Sequence, residues 1–200
     1  LKQTNGLYIR DPESIEVVKK NFSLDGKFVP DVAFTISKFL KGKKKNKYSV
    51  KVGITDFAVY RKYNKDNKTE LDYLQEWENL ITKYISPDYD LTLFYTTKED
   101  YIQSLKFKQH LENKYKKDFI IEENSTLDEL VDVISEANVL ISGRMHALII
   151  GYCYECDIVP YNISQKIRSF SNFYLDEKKD IYLLQQEIGS KVREMIGNTE

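Results

Sequence analysis

Short β-rich runs alternate with segments of helical period along most of the chain. This alternation is typical of a mostly parallel sheet covered by helices. Strands are predicted at 48–57, 90–95, 119–122, 138–141 and 157–161, and helices at 69–85, 97–115, 125–134, from 144, at 166–170 and from 181. The fold class we expect is α/β, a Rossmann-like, mostly parallel sheet with helices on both faces.

Two predicted helix starts carry a capping signal. Thr97 is followed three residues later by Asp100, and Ser125 is followed by Asp128. A hydroxyl residue with an acidic residue three positions on can satisfy free backbone N–H groups at a helix N-terminus. Both carboxylates are therefore expected to act locally, within their own helices.

A lysine-rich run at 41–47 divides the chain. Runs of like charge cannot be buried, so we predict a solvated linker here, with 1–40 a remnant of an N-terminal domain and 48–200 a C-terminal α/β domain. The remnant would hold a strand at 7–10 and a helix begun by Asp11-Pro12. The alternative role of the run is contact with anionic lipid head groups, at about 1 kcal/mol per lysine at most.

Composition excludes several function classes. The net charge of −1 argues against a general nucleic-acid binder, which needs a basic surface. The most apolar stretch, 139–154, is interrupted by Arg144 and His146 and falls short of the roughly 20 residues of a membrane span. With only two cysteines and no signal-peptide pattern, a cytoplasmic protein is expected.

The two cysteines, Cys153 and Cys156, form a CxxC pair near a predicted helix end. A redox pair would be expected at a helix start, where the dipole lowers a thiol's pKa. Structural zinc would need two further ligands, and the other histidine outside the turn, His110, has no metal-type partner nearby in sequence. We therefore predict buried structural thiols and no metal site.

The residues Ser142-Gly143-Arg144 follow a predicted strand and open an apolar helix. Open α/β sheets bind ligands at the carboxyl ends of their strands, and free N–H groups at a helix N-terminus favour an anion. Gly143 would let a ligand approach the backbone, and the guanidinium of Arg144 suits a phosphate or carboxylate. The alternative is that Ser142 caps the helix while Arg144 pairs with a surface acid.

His146 lies two residues after Arg144 in otherwise apolar surroundings. A histidine in such a setting can be a hydrogen-bonded core residue. Its position at the mouth of the sheet favours general acid or base work instead, because imidazole titrates near neutral pH. Both roles stay open on spacing alone.

The C-terminal signature of the polysaccharide pyruvyltransferase family resembles three features of this sequence in their order. These are the turn Ser142-Gly143-Arg144-Met145-His146-Ala147, the block 160–162 and Lys166. The blocks 8–14, which includes Arg10, and 30–34, which includes Asp31, resemble the upstream part of that family. The four blocks occur in the family's order. Asp31 is also a plausible turn residue after Pro30, and we treat it as secondary.

This resemblance implies the C-terminal domain of a GT-B-like fold, incomplete without an N-terminal domain. It implies transfer of pyruvyl from phosphoenolpyruvate to sugar hydroxyls of a bacterial cell-surface polysaccharide or lipid-linked precursor, giving a ketal and phosphate, at the inner face of the membrane. No cofactor or metal is implied. Arg144, Arg10, Lys166, Ser142 and Gly143 would bind the donor, and His146 would move a proton.

Two other functions remain compatible with the sequence. A GT-B glycosyltransferase would use a nucleotide sugar and would need a carboxylate for the ribose besides a phosphate-binding turn, and the sequence shows evidence only of the turn. A non-catalytic binding module could keep the same fold. Binding of phosphoenolpyruvate against nucleotide sugars would separate the three.

Overall fold

Five strands pair side by side into one parallel sheet in the computed structural model, which describes residues 6–197. The strand order is β5-β4-β3-β6-β7, and every pairing within it is parallel. The fold is thus α/β and Rossmann-like, as predicted. The strands are β3 (Asn46–Gly53), β4 (Asp90–Leu93), β5 (Ile120–Ile121), β6 (Ala137–Ser142) and β7 (Asp157–Pro160).

The strand order reverses between β3 and β6. From β3 the chain moves outward through β4 to β5, then returns to the opposite side of β3 as β6 and continues to β7. Gly53 and Ser142 are partners at the carboxyl ends of these two strands. In open α/β sheets this topological switch point is where ligands bind.

Helices cover both faces of the sheet. Val50, Val52 and Ile141 belong to one buried cluster together with side chains of α2, α3 and α4, whereas Leu140 packs with α5 and α6. Alternate strand residues face opposite sides, so the two clusters follow from the pleat. The helices are α2 (Phe57–Tyr63), α3 (Glu70–Ile81), which continues as a 3₁₀ turn at Thr82–Tyr84, α4 (Lys98–Tyr115), α5 (Leu127–Ser135) and α6 (Met145–Cys153).

A third cluster joins the beginning of the described chain to its end. Phe34, fully buried, packs against Phe170 and Tyr174. The segment before the lysine-rich run therefore packs on α6 and on the helix Ile181–Gly197. The domain boundaries themselves stay a prediction. The elements are β1 (Tyr8–Ile9) paired with β2 (Lys27–Phe28), α1 (Pro12–Phe22), a 3₁₀ helix (Val32–Lys38), α7 (Gln165–Phe170), a π-helical segment (Ser171–Asp176) and α8 (Ile181–Gly197).

Element boundaries differ from the prediction at several places. The first sheet strand ends at Gly53 rather than 57, and a helix that the sequence did not predict, α2, begins at Phe57. Helix α5 is capped by Thr126 and Glu129, one residue later than the predicted Ser125 and Asp128. The start of α1 is confirmed, because Asp11 accepts a hydrogen bond from the Ser14 N–H at 2.7 Å.

Both cysteines are buried thiols, as predicted. Cys153 donates to the Phe34 carbonyl at 3.4 Å and Cys156 to the Ile134 carbonyl at 3.3 Å. Burial raises the pKa of Cys153 to about 12 and the pKa of Cys156 to about 11. Among the described helices, none has the length and apolar character needed to cross a bilayer.

Candidate active site

Two small residues, Ser142 and Gly143, hold the β6–α6 turn close to the end of β3. Ser142 is fully buried; its hydroxyl donates to the Gly53 carbonyl and accepts from the Arg144 N–H, both at 3.2 Å. A Cβ on Gly143 would lie 2.8 Å from the Thr55 Oγ1 and 3.3 Å from the Tyr161 carbonyl oxygen. Glycine is required here by the close approach of the neighbouring loops, which holds the turn in one position.

Arg144 is held by the buried carboxylate of Asp100, in the first turn of α4. Its Nε donates to Asp100 Oδ2 at 2.9 Å and its Nη2 to Asp100 Oδ1 at 2.6 Å. Asp100 also accepts from the Asp56 N–H at 2.9 Å and the Thr96 hydroxyl at 2.7 Å. The Arg144 side chain keeps 26% of its surface exposed, against 1% for Asp100, so the guanidinium is fixed but can be reached.

This contact corrects the predicted capping box at the start of α4. Thr97 does accept from the Asp100 N–H, at 3.2 Å. The Asp100 carboxylate, however, does not return to the helix start, because it is turned toward Arg144. Of the two alternatives for Arg144, pairing with an acid is therefore observed, but the acid is buried at the switch point rather than on the surface.

His146 extends to the other side of the same helix start. Its side chain is 65% exposed, and its Nε2 lies 3.9 Å from Asp31 Oδ2. The exposure corrects the alternative of a core histidine. Arg144 is the N-cap residue of α6 and makes no side-chain capping bond, so the side chain of the cap does not neutralise the partial positive charge of this helix N-terminus.

Asp31 connects His146 to a basic residue from the beginning of the chain. Arg10 Nη1 donates to Asp31 Oδ2 at 2.5 Å, while Asp31 Oδ1 accepts from the Ala33 N–H at 3.0 Å. The Asp31 side chain is 12% exposed and that of Arg10 is 41% exposed. Asp31 is therefore a fixed anchor for Arg10 and the nearest carboxylate to the imidazole.

A cavity of about 420 Å³ opens beside this group. Polar and charged residues line part of it, and aromatic and aliphatic side chains line the rest. Its volume is that of a small-ligand site. The lining residues are Arg10, Asp11, Pro12, Glu13, Ser14, Val17, Asp31, Phe34, Met145, Ile149, Gln165, Lys166, Ser169, Phe170, Phe173 and Tyr174.

Lys166 lines the cavity without a bonded counter-ion. Within residues 6–197 its ammonium makes no ion pair or hydrogen bond, whereas the nearby carboxylates of Asp31, Asp11 and Glu13 each accept a bond elsewhere. Burial lowers the pKa of Lys166, the charge of Arg10 lowers it further, and Asp31 and Asp11 raise it by less. An anion between the two cations would relieve this repulsion.

The structure thus divides the predicted site residues into two groups. Arg10 and Lys166 line the cavity, with His146 beside it through Asp31. Ser142, Gly143 and Arg144 lie at the switch point on the other side of the α6 N-terminus. In the part of the chain described, no three His, Cys, Asp or Glu side chains converge as a metal site requires.

Sequence reasoning missed two residues of this region. Asp100 fixes Arg144, but its only sequence signal was the capping-box spacing. Tyr174 lines the cavity from the π-helical segment, and nothing in its sequence neighbourhood distinguishes it from the other tyrosines of the chain.

The protein is thus a parallel α/β sheet with a guanidinium fixed at its switch point. A cavity near the α6 N-terminus is lined by two cations, Arg10 and Lys166, and by the carboxylates of Asp11, Glu13 and Asp31. The chain belongs to the polysaccharide pyruvyl transferase family, whose model matches residues 1–164. It is therefore a member of an enzyme family. Lys166 lies two residues beyond the matched region. No curated protein and no solved structure gives a significant match to the chain.

Proposed function

We propose that the chain takes part in transferring a pyruvyl group from phosphoenolpyruvate to sugar hydroxyls of a cell-surface polysaccharide or its lipid-linked precursor. The observation that carries the proposal is the Lys166 ammonium, which lines the cavity with Arg10 and has no bonded counter-ion among the described residues 6–197. Phosphoenolpyruvate bears a phosphate and a carboxylate, and a compact anion of this kind needs fixed positive donors.

The α6 N-terminus adds a second positive feature to the site. The first N–H groups of a helix have no acceptor within the helix, and the N-cap side chain of α6 makes no bond to them. A donor bound in the cavity would have Lys166 and Arg10 as charge partners, with His146 within reach. Arg144, held by Asp100, would contribute its exposed edge to a ligand at the switch point.

The reaction needs one proton gained and two lost. Protonation of the methylene carbon of phosphoenolpyruvate leaves cationic character on the adjacent carbon, and a sugar hydroxyl attacks that carbon with loss of its proton. Phosphate then leaves with the C–O bonding electrons, and a second hydroxyl closes the ketal and loses its proton. The proposed proton carrier, as acid or as base, is the imidazole of His146. Its side chain is 65% exposed, so solvent can reach it.

The acceptor defines the place where this chemistry would occur. A lipid-linked oligosaccharide would bring the enzyme to the inner face of the cell membrane, with the lysine-rich run as a candidate contact. Lys43 and Lys45 of that run bond to Asp132 and to the Glu155 carbonyl. Lys41, Lys44 and Lys47 are the exposed lysines of the run that remain for a lipid surface, and the Lys47 ammonium lies over the ring of Tyr48.

Calorimetric titration with phosphoenolpyruvate and with a panel of nucleotide sugars tests the proposal. We expect selective binding of phosphoenolpyruvate, weakened about ten-fold or more in Lys166→Ala because a charged hydrogen bond is lost. Lys20→Ala, which removes an exposed lysine at the other end of α1, is the matched control and should bind as the wild type does.

Two results would contradict the proposal. Binding of nucleotide sugars alone would identify a glycosyltransferase of GT-B type. Binding of neither ligand by the folded protein would identify a non-catalytic module. Where transfer is measured with an acceptor, His146→Ala should keep phosphoenolpyruvate binding and lose phosphate release.

A further inference from the structure

One oxygen atom of the Asp31 carboxylate lies next to both Arg10 and His146. Oδ2 accepts a hydrogen bond from Arg10 Nη1 at 2.5 Å and lies 3.9 Å from His146 Nε2. The second distance exceeds that of a hydrogen bond by about 1 Å, and the imidazole, whose side chain is 65% exposed, has room to approach. Arg10 thus holds this oxygen, and His146 is the neighbouring donor.

The Asp31 carboxylate is fixed in place, whereas Arg10 is not. Asp31 is the N-cap of the 3₁₀ helix Val32–Lys38, and its Oδ1 accepts from the Ala33 N–H at 3.0 Å. The side chain of Asp31 is 12% exposed, while that of Arg10 is 41% exposed. An exposed ion pair contributes little to stability and can exchange its partner. A ligand that competes for this pair would therefore move Arg10 and leave the carboxylate in place.

Asp31 connects the imidazole to the cavity. Arg10, Asp31 and Lys166 line the cavity, whereas His146 is not among the described residues that line it. An anion that enters would meet both cations. A phosphate or carboxylate can take two parallel bonds from a guanidinium, which together are stronger than the single bond to Asp31. As Arg10 turns to the ligand, its positive charge no longer neutralises Oδ2.

The charge of Arg10 also acts on the imidazole. While the guanidinium holds Oδ2, a positively charged imidazole at the same oxygen would be repelled by it. Once that charge is shared with an anion, the repulsion falls, and the free carboxylate oxygen favours a donated Nε2–H. The state of Arg10 in the cavity is therefore transmitted to His146 through one oxygen atom.

No other carboxylate of the cavity can replace Asp31 in this contact. Within residues 6–197, Asp31 is the one carboxylate that comes into ion-pair range of the imidazole. Asp11 and Glu13 also line the cavity, but Asp11 caps α1 at 2.7 Å and Glu13 accepts from the side chain of Gln165 at 3.2 Å. A hydrogen bond from the imidazole toward the cavity therefore has Asp31 as its acceptor.

We propose that Asp31 is a positioning residue for His146, whose Nε2–H bonds to Oδ2 when an anion in the cavity draws Arg10 away from that oxygen. The inference rests on the proposed function, in which phosphoenolpyruvate is the anion and His146 carries the proton. A bond from Nε2–H to a carboxylate fixes the imidazole ring and leaves Nδ1 to exchange a proton. The proton carrier is thus set in position only when the donor is bound.

The first test uses the protein without ligand, by NMR of the imidazole nitrogens and their protons. The chain has two histidines, so His110, which bonds to Glu78 at 2.8 Å, serves as an internal reference. Arg10→Met removes the competing donor and keeps a side chain of similar length. We expect the Nε2–H proton of His146 to move downfield and to exchange with water about ten-fold more slowly, because it gains a charged acceptor.

Asp31→Asn is the matched variant in this test. The Ala33 N–H keeps the amide oxygen at the Oδ1 position, so the amide nitrogen replaces Oδ2 and cannot accept from the imidazole. Adding Asp31→Asn to Arg10→Met should therefore abolish the change at His146. Lys19→Gln, which removes another exposed, paired cation near the start of the chain, is the control and should leave both histidine signals as in the wild type.

The second test adds phosphoenolpyruvate and follows binding by calorimetry and His146 by NMR. The wild type should bind, and its Nε2–H signal should change as it does in Arg10→Met. Asp31→Asn should still bind phosphoenolpyruvate, because Arg10 and Lys166 remain, yet its His146 signal should not change in this way. A merely structural role of Asp31 would not produce this difference.

Two results would overturn the inference and leave the proposed function intact. One is an equal change at His146 in Arg10→Met with and without the Asp31 carboxylate. The other is binding of phosphoenolpyruvate to the wild type with no change at His146. If the wild type does not bind phosphoenolpyruvate, the proposed function fails, and the inference, which depends on that anion, fails with it.

Discussion

Arg144 and Asp100 form a two-bonded ion pair across the switch point of the sheet, with N···O distances of 2.9 Å and 2.6 Å. Asp100 comes from the start of α4 and Arg144 from the start of α6, so the pair joins two helices that follow different strands. Asp100 also accepts bonds from the Asp56 N–H and the Thr96 hydroxyl. These bonds fix the carboxylate, and the carboxylate in turn fixes the guanidinium.

Asp100→Ala should lower the free energy of unfolding by about 3 kcal/mol, because it leaves a partly buried guanidinium and two other donors without their acceptor. Urea denaturation measures the change. Lys106→Ala breaks the exposed pair with Glu70, in which the side chains are 49% and 37% exposed, and should cost less than about 1 kcal/mol. Equal costs for the two variants would contradict the structural role of Asp100.

Gly143→Ala should destabilise the protein by about 1–3 kcal/mol, because the added methyl group overlaps Thr55 and the Tyr161 carbonyl in a packed turn. Gly189→Ala in α8 is the contrasting variant. There the nearest atom would be 3.7 Å away, so the change should stabilise the helix by about 0.5–1 kcal/mol. Thermal denaturation should show opposite shifts, and a neutral Gly143→Ala would show that the close approach is not needed.

Glu78 should make stability depend on acid pH. Burial raises its pKa, but bonds from Lys114, Tyr115 and His110 outweigh burial and hold the pKa at about 2, below its usual value of 4.5. The folded state thus favours the ionised carboxylate, so its contribution is complete above the usual pKa and is lost as pH falls toward 2.

Unfolding free energies measured from pH 6 down to the acid limit should therefore fall less steeply in Glu78→Gln than in the wild type. Glu99→Gln, at an exposed position in the first turn of α4, is the control and should follow the wild-type curve. Parallel curves for the wild type and Glu78→Gln would exclude this contribution.

Lys166 should limit anion binding on the alkaline side. Its pKa is lowered, first by burial and then by Arg10. The proposed ligand is an anion and would favour the protonated form. Affinity for phosphoenolpyruvate should consequently decline as pH rises through the lowered pKa. Lys166→Arg keeps its charge at all these pH values, so titrations of this variant should lack the decline. The same decline in both proteins would assign it to another group.

The layout of the sheet was predictable from sequence because strand and helix periods are local properties. The helix α2 was not, because its stability comes from distant residues. Asp56, its N-cap, makes no side-chain capping bond; the N–H groups of Asp56 and Phe57 are instead accepted by the side chains of Asp100 and Gln103 on α4. A sequence pattern cannot show that these groups meet.

The site was predictable only in part for the same reason. The residues Ser142, Gly143 and Arg144 could be placed at a strand end from their neighbours alone. That Arg10 and Lys166 line one cavity, while Arg144 is turned to Asp100, depends on how the beginning and the end of the chain pack around α6. Long-range packing of this kind leaves no periodic signal.

The cavity walls come from opposite ends of the chain, and this has a consequence for how the protein is made. Glu13 and Gln165, which meet at the cavity, are 152 positions apart in sequence. During synthesis the cavity cannot close until α7 has left the ribosome, so Arg10 can pair with Asp31 early but meets Lys166 only after the sheet strands have been made. A ligand that binds only the closed cavity favours the finished fold by mass action, and its binding therefore reports that folding is complete.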